Sequence, residues 1–165
     1  MELIEAQQIA ERIVSWLRPH CNRIEIAGSI RRQKPVVKDI EIVAIPKPYE
    51  TGLFASGLPT VVDQWEKVKG ELIYGRTRYT QRILPEGIKL DLFFAVRENW
   101  GLIYAIRTGS AEYSHRILAS TWVRKGYKSI DGHLTRDGKR IQLHEEEDLF
   151  HLLAIPWVHP RDRDS

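Results

Sequence analysis

The chain has 165 residues, a formal net charge of +3 and a sequence pI near 9.0. This length supports one core or two small lobes that share one, but not several independent domains. The modest charge excludes a histone-like polycation while it remains compatible with a nucleic-acid partner, and the single Cys21 excludes an internal disulfide and a cysteine-rich zinc site.

A membrane-spanning segment is not expected, because no apolar run approaches the ~18 residues needed to cross a bilayer. The first residues also lack the pattern of a signal peptide. We therefore expect a soluble cytoplasmic protein with no membrane partner.

The first predicted elements are a helix and a strand. Over residues 2–18, Ile9, Ile13 and Leu17 recur at helical spacing, which predicts an amphipathic helix that packs on a sheet. Alternating residues at 23–26 predict a strand that ends at a Gly-Ser turn.

Three acidic residues fall in two predicted strands. Asp39 and Glu41 lie two residues apart in the strand over residues 38–45, so both point to one face, and Asp91 repeats this arrangement in the strand over residues 88–93. We expect the three carboxylates to converge where the two strands are neighbours. Carboxylate oxygens suit a pair of Mg²⁺ ions roughly 3.5–4 Å apart, as used in phosphoryl or nucleotidyl displacement, with Mn²⁺ as a substitute.

The Gly28-Ser29 turn supplies groups that suit a phosphate. Glycine lets the backbone approach a ligand closely, and serine offers a hydroxyl and an N–H. Positive side chains follow at Arg31, Arg32, Lys34 and Lys38. An acidic pair on a strand is more often a solvated face, and a lone Gly-Ser is a weak signal, but the ordered set of motifs favours a functional site.

The middle of the chain predicts a helix over residues 59–69, strands over 72–74 and 77–84, and a turn over 84–87 that leads into the strand of Asp91. Arginines at even positions predict one basic strand face, which is either a solvated surface or a set of DNA phosphate contacts. The predicted DNA-contact residues are Arg76, Arg78, Arg82 and Lys89.

The C-terminal part opens with Thr108, Gly109 and Ser110 before a predicted helix over residues 111–125, whose N-terminus suits an anion. Two hairpin turns follow, and residues 145–154 predict a closing helix. Its acidic start is better explained by the helix dipole than by metal binding.

The N-terminal motifs resemble a known enzyme family. Gly28-Ser29 followed by Asp39 and Glu41 resembles the signature of the nucleotidyltransferase superfamily, and residues 28–32 resemble the DNA polymerases of family X. Downstream, residues 108–110 resemble the nucleotide-binding turn of that family, and residues 146–160 with Arg161 and Arg163 resemble its C-terminal end.

The resemblance implies an α+β fold. Residues 1–100 would form a nucleotidyltransferase palm with a mixed sheet flanked by helices. Residues 101–165 would form a small thumb-like α+β nucleotide-binding subdomain packed on it. The expected protein is a minimal form with these two parts alone.

The resemblance also assigns roles. Asp39 and Glu41 would be ligands of both metal ions, and Asp91 would be the third acid, near the attacking 3′-hydroxyl. The nucleotide would be bound by Gly28, Ser29, Arg32, Arg107, Thr108, Gly109 and Ser110.

The implied activity is nucleotidyl transfer from a nucleoside triphosphate to a DNA 3′-hydroxyl, as a DNA-directed DNA polymerase in gap filling or primer extension during DNA repair. A partner protein that aids DNA binding is a further expectation. Two departures from the family pattern are Glu41, where its polymerases usually have aspartate, and Ile106-Arg107, where an aromatic residue is typical. The alternatives are a template-independent nucleotidyltransferase for an RNA end or a small molecule, and a non-catalytic nucleic-acid-binding relative.

Overall fold

The computed structural model describes residues 1–49, 56–70 and 78–165. The chain divides into two compact units, Met1–Ala95 and Val96–Ser165, so the predicted boundary after residue 100 lies just inside the second unit. None of the helices in these described ranges is long and apolar enough to cross a bilayer.

In its described residues, the first unit has a five-stranded sheet and three α-helices. Its elements are α1 (Leu3–Leu17), β1 (Cys21–Ile26), α2 (Gly28–Arg31), β2 (Asp39–Pro46), α3 (Leu58–Val62), β3 (Glu66–Lys69), β4 (Tyr79–Ile83) and β5 (Lys89–Phe94). The strands follow the order β1-β2-β5-β4-β3, and β2 runs parallel to β5 while the other pairs are antiparallel.

One face of this sheet is apolar because the strands alternate. The even-numbered Ile40 and Ile42 of β2 and Leu90 and Leu92 of β5 are fully buried, in one core cluster with residues of α1. Burial of this apolar face holds both strands in register, and the odd-numbered residues between them therefore occupy the opposite face.

The predicted helix over residues 59–69 is wrong beyond Val62. Residues Glu66–Lys69 instead form the edge strand β3, which pairs with β4. The carbonyls of Val62 and Trp65 accept hydrogen bonds from the Arg82 guanidinium at 3.4 and 3.2 Å. These tertiary bonds favour a break after α3 over continued helix. The strand predicted over residues 72–74 lies outside the described residues.

The second unit combines helices with a three-stranded antiparallel sheet whose strands follow the order of the chain. The predicted helix over residues 111–125 is present, with a π-helical turn at Ser114–Ala119. The elements are α4 (Trp100–Thr108), α5 (Ala111–Tyr113), α6 (Ser120–Arg124), β6 (Lys128–Ile130), β7 (His133–Arg136), β8 (Lys139–Arg140) and α7 (Glu146–Leu153).

Helix α4 is missing from the sequence-based prediction. Gly101, near its start, weakens the local helical signal, but the structure requires a glycine there. A Cβ at Gly101 would overlap the carbonyl oxygen of Glu145, just before α7. A glycine therefore occupies this position because another element packs closely against it, although glycine has a low helix propensity.

Candidate active site

The three predicted acids lie on one face of the first unit's sheet. Strands β2 and β5 are parallel neighbours, and their register places Asp39 opposite Lys89 and Glu41 opposite Asp91. Alternation puts these four residues on the face opposite the apolar core. We call the odd-numbered face of β2, β5 and β4 the acidic face.

Asp91 is held by two neighbours on β4. Its Oδ1 accepts hydrogen bonds from the Tyr79 hydroxyl at 2.6 Å and from the Gln81 side-chain amide at 2.7 Å. The Tyr79 ring stacks on Phe93 with centroids 4.9 Å apart. Asp91 is only 7% exposed, so two neutral donors fix one of its oxygens while Oδ2 receives neither bond.

Sequence reasoning missed Tyr79 and Gln81, although a signal for them exists. The turn over residues 84–87 fixes the hairpin of β4 and β5, and Ile83 then lies opposite Lys89. Counting back along β4 places Gln81 opposite Asp91.

The pKa of the Asp39 carboxyl is raised above its ordinary value. Burial is the main cause, because it disfavours the charged form, and repulsion from the Asp91 carboxylate adds to it. The positive Lys89 and Lys38 oppose the shift. Asp39 and Asp91 therefore interact as two like charges, and a cation between them would favour both ionised forms.

Glu41 lies against the Gly28-Ser29 turn. A Cβ at Gly28 would be 2.7 Å from Glu41 Oε2 and 2.9 Å from its Cβ, and Gly28 has a φ of +61°. The Ala27 N–H also donates to the Glu41 carbonyl at 2.8 Å. Only a glycine combines this left-handed conformation with so close an approach to the carboxylate.

Among the residues that the structure describes, the side chains do not form a metal centre. Within residues 1–49, 56–70 and 78–165, no three or more His, Cys, Asp or Glu side chains are grouped so that they could hold one ion. Strand register therefore brings the three acids to one face, while the Glu41 carboxylate packs beside Gly28. Convergence on two Mg²⁺ ions stays a prediction.

Of the predicted triphosphate contacts, Gly28 lies next to Glu41. Gly28, Ser29 and Arg32 belong to the turn and the short α2, where the Arg32 N–H donates to the Gly28 carbonyl at 3.1 Å. Ser29 and Arg32 are partly exposed. Their contact with a phosphate stays a prediction.

Arg82 of the predicted basic stripe does not lie on the acidic face. Arg82 lies opposite Leu90 of the apolar core and is only 4% exposed. Its guanidinium donates to the Thr80 hydroxyl at 3.0 Å and to Asp63 at 3.2 Å, besides two backbone carbonyls. The DNA-contact role of Arg82 is therefore wrong for this structure, because its side chain ties α3 to β4.

The other predicted DNA contacts fall in different places. Arg78 precedes β4 and is exposed, and Lys89 is exposed on the acidic face opposite Asp39. Arg76 lies outside the described residues. Roles of Arg78 and Lys89 in DNA binding stay predictions.

In the second unit, the predicted nucleotide-binding residues 107–110 end α4. Thr108 is fully buried and Arg107 is exposed. The Ser110 hydroxyl donates to the Asp164 carbonyl at 2.6 Å and accepts from the Tyr113 N–H at 3.0 Å, which caps α5. A Cβ at Gly109 would lie 2.7 Å from the Tyr113 ring. The Ser110 hydroxyl thus serves the fold of this unit, and its contact with a nucleotide stays a prediction.

Part of the second unit is similar to a known family. Residues 103–164 match the family model of the DNA polymerase beta thumb. A comparison with curated proteins found no match. The family match covers less than half of the chain and falls inside the second unit, so it supports a relationship to family X polymerases over this region.

Proposed function

We propose that the protein is a nucleotidyltransferase of DNA polymerase type, which transfers a nucleotide from a nucleoside triphosphate to a DNA 3′-hydroxyl. The observation that carries the proposal is the acidic face: Glu41 lies opposite Asp91 on parallel strands, and two side chains orient the buried Asp91 carboxylate. The thumb-like region at residues 103–164 supports DNA as the acceptor.

The carboxylate chemistry of the donors suits a divalent cation, although among the described residues no three of them are grouped to hold one ion. Asp39, Glu41 and Asp91 offer hard carboxylate oxygens on one face, and the raised pKa of Asp39 reflects burial and repulsion from Asp91 that a cation would offset. When bound, Mg²⁺ would stabilise negative charge on the phosphate oxygens and on the attacking oxygen. Asp39 and Asp91 are the residues that would hold it, with Glu41 as the third donor.

The proposed transfer forms one bond and breaks one. The 3′-hydroxyl oxygen attacks the α-phosphorus, the bond from that phosphorus to the bridging oxygen breaks, and pyrophosphate leaves with the electron pair. Asp91 Oδ2 would accept the hydroxyl proton, since both side-chain hydrogen bonds go to Oδ1. Arg32 would stabilise the charge on the departing pyrophosphate.

Primer extension tests this proposal. Purified protein is incubated with Mg²⁺ and each deoxynucleotide or ribonucleotide on a one-nucleotide gap, a recessed primer and a single strand. Asp91→Asn should lower incorporation at least about 100-fold, because the proton acceptor and a metal ligand are altered together. Asp137→Asn is the matched control, because Asp137 is an exposed aspartate in a turn of the second unit and its loss should leave the rate unchanged.

The acceptor separates the alternatives. Incorporation of only the templated nucleotide supports a polymerase, whereas extension that ignores the template supports a terminal transferase. Use of an RNA end or a small molecule, with no DNA extended, would replace DNA as the acceptor but keep the chemistry. An equal rate for Asp91→Asn and the unchanged chain would overturn the catalytic role of the acidic face.

A further inference from the structure

Arg163, near the C-terminus, is the most completely enclosed charged residue among those the structure describes. Its side chain is fully buried, and its two terminal nitrogens donate to Glu146 at 2.8 and 3.2 Å in a bidentate pair. The remaining Nε donates to the Val158 carbonyl at 2.8 Å. Bidentate pairs of this kind fix geometry as well as charge.

Aromatic rings enclose the same guanidinium. Its central carbon lies 4.9 Å from the centroid of the Phe150 ring and 5.1 Å from that of Trp157. Arg163 is therefore held by a carboxylate, a carbonyl and two rings, all in the second unit. These partners together hold the buried guanidinium in one position.

The backbone beside this anchored side chain contacts the turn that ends α4. The Ser110 N–H donates to the Arg163 carbonyl at 2.9 Å, and the Ser110 hydroxyl donates to the Asp164 carbonyl at 2.6 Å. The two acceptors are consecutive residues of the C-terminal segment, so the position of Arg163 sets the position of Ser110.

The opposite side of the turn is also fixed. The Tyr113 ring lies so close to Gly109 that a Cβ there would be 2.7 Å from it. Burial raises the pKa of Tyr113, while nearby Arg163 lowers it and Glu146 raises it. Tyr113 therefore lies within electrostatic reach of the same ion pair that anchors the C-terminal segment.

We propose that Arg163 is a positioning residue that, through Glu146 and the C-terminal backbone, holds residues 108–110 in the conformation that receives the nucleotide. This inference rests on the proposed function, because the turn matters to catalysis only where a nucleotide binds there. It adds a residue that touches neither nucleotide nor metal. Loss of its geometry should weaken nucleotide binding and leave the chemical step nearly unchanged.

Arg163→Lys is the test variant, because it keeps the charge but cannot form the bidentate pair. Arg161→Lys is the matched control, since Arg161 is exposed two residues away. Amide hydrogen exchange of residues 108–114, measured without nucleotide, reports the order of the turn. Steady-state extension then gives KM for the nucleotide and kcat separately.

We expect Arg163→Lys to speed amide exchange in the turn at least about tenfold and to raise KM about tenfold, with kcat changed less than threefold. Arg161→Lys should change none of the three. Glu146→Gln, which keeps the shape and one acceptor of the partner, should give an intermediate effect and serves as the main variant should Arg163→Lys fail to fold.

Amide exchange and steady-state extension together distinguish failure of this inference from failure of the proposed function. Unchanged exchange in the folded variants would overturn the positioning role at any level of activity. Faster exchange with an unchanged KM would overturn the link from the turn to the nucleotide. A wild-type chain that uses no nucleotide would overturn the proposed function, while exchange would still decide whether Arg163 orders the turn.

Discussion

Gln81 and Asp91 lie directly opposite each other on the antiparallel strands β4 and β5, and the Gln81 amide donates to Asp91 Oδ1 at 2.7 Å. This pair decides which face of β4 belongs to the acids. Because strand side chains alternate, Tyr79 lies on the acidic face with Gln81, and Arg82 must lie on the opposite, apolar face. One register therefore explains both the support of Asp91 and the burial of Arg82.

Tyr79→Phe should lower kcat about tenfold and should also lower the free energy of unfolding, because the hydrogen bond to Asp91 is lost. The variant keeps the ring that stacks on Phe93 and removes only the hydroxyl that donates to Asp91 at 2.6 Å. A hydrogen bond to a charged group contributes about 1.5–3 kcal/mol to stability, and without it the Asp91 carboxylate should be less well oriented toward the hydroxyl whose proton it accepts. Primer extension at saturating nucleotide measures kcat.

Thr80→Val is the control for that prediction. Thr80 follows Tyr79 in β4, but its side chain lies on the opposite, apolar face of the sheet and is buried. It should lower stability, since the Thr80 hydroxyl donates to the Lys69 carbonyl, and leave kcat of the folded protein unchanged. Equal losses of kcat in the two variants would show that general disturbance of β4, and not support of Asp91, is being measured.

Gly28→Ala should cost both stability and activity. Its φ of +61° costs an alanine about 1–2 kcal/mol, and the new Cβ would lie 2.7 Å from Glu41 Oε2. Gly87→Ala is the matched comparison, because Gly87 has a φ of +87° but no atom within 4 Å of the added carbon.

The difference between these two alanine variants isolates the contact with Glu41. Urea denaturation should show a larger loss of unfolding free energy for Gly28→Ala, and primer extension should fall only in that variant. Similar activity in both would mean that the close approach of Gly28 to Glu41 has no role in the chemistry.

Arg82→Met should destabilise the first unit by about 2–3 kcal/mol, because the carbonyls of Val62 and Trp65 would lose their donor in a buried setting. Arg78→Met, at an exposed position, should leave stability within about 0.5 kcal/mol. Urea denaturation measures the loss of stability.

DNA affinity of folded Arg82→Met, measured at several salt concentrations, tests whether Arg82 contacts a DNA phosphate. A buried arginine should not alter the salt dependence of DNA binding. A smaller salt dependence in the variant would show that Arg82 is a phosphate contact.

Much of the first unit could be predicted from local pattern. Alternation in β2 and β5 placed Asp39, Glu41 and Asp91 on one face, because burial of the intervening apolar residues admits no other register. The course of the chain into β5 followed from the turn over residues 84–87. These features depend on residues close together in sequence.

Other features depend on contacts between distant residues, which no local pattern contains. The position of Arg82 in the sequence pattern is typical of a surface arginine. The hydrogen-bond acceptors of its guanidinium, however, lie at the end of α3 and at Trp65, just before β3. Helix α4 was missed because Gly101 weakens its local helical signal, and this glycine is required by the close approach of the Glu145 backbone. The Arg163–Glu146 ion pair joins two residues that are 17 positions apart in the chain. The sequence explains the acidic helix start by the helix dipole alone, and so it does not predict this pair.

Asp39→Asn should raise stability at neutral pH while it abolishes extension. Burial and the neighbouring Asp91 raise the pKa of Asp39 in the folded protein, so the native state holds this proton more tightly than the unfolded chain. The stability that this gives is complete below the ordinary pKa of 3.8 and is lost as pH rises through the folded pKa. Above that range the wild-type chain carries an unfavourable charge that asparagine lacks.

Thermal unfolding without divalent cations measures the effect. At pH 7 the midpoint of Asp39→Asn should lie roughly 1–3 °C above that of the unchanged chain, and the difference should vanish below about pH 3.8, where both chains carry a neutral side chain. Mg²⁺ should raise the midpoint of the unchanged chain more than that of the variant, because a cation stabilises the ionised pair of Asp39 and Asp91. A midpoint for Asp39→Asn that is lower at pH 7 would contradict the raised pKa, and an equal response of both chains to Mg²⁺ would remove Asp39 from the proposed metal site.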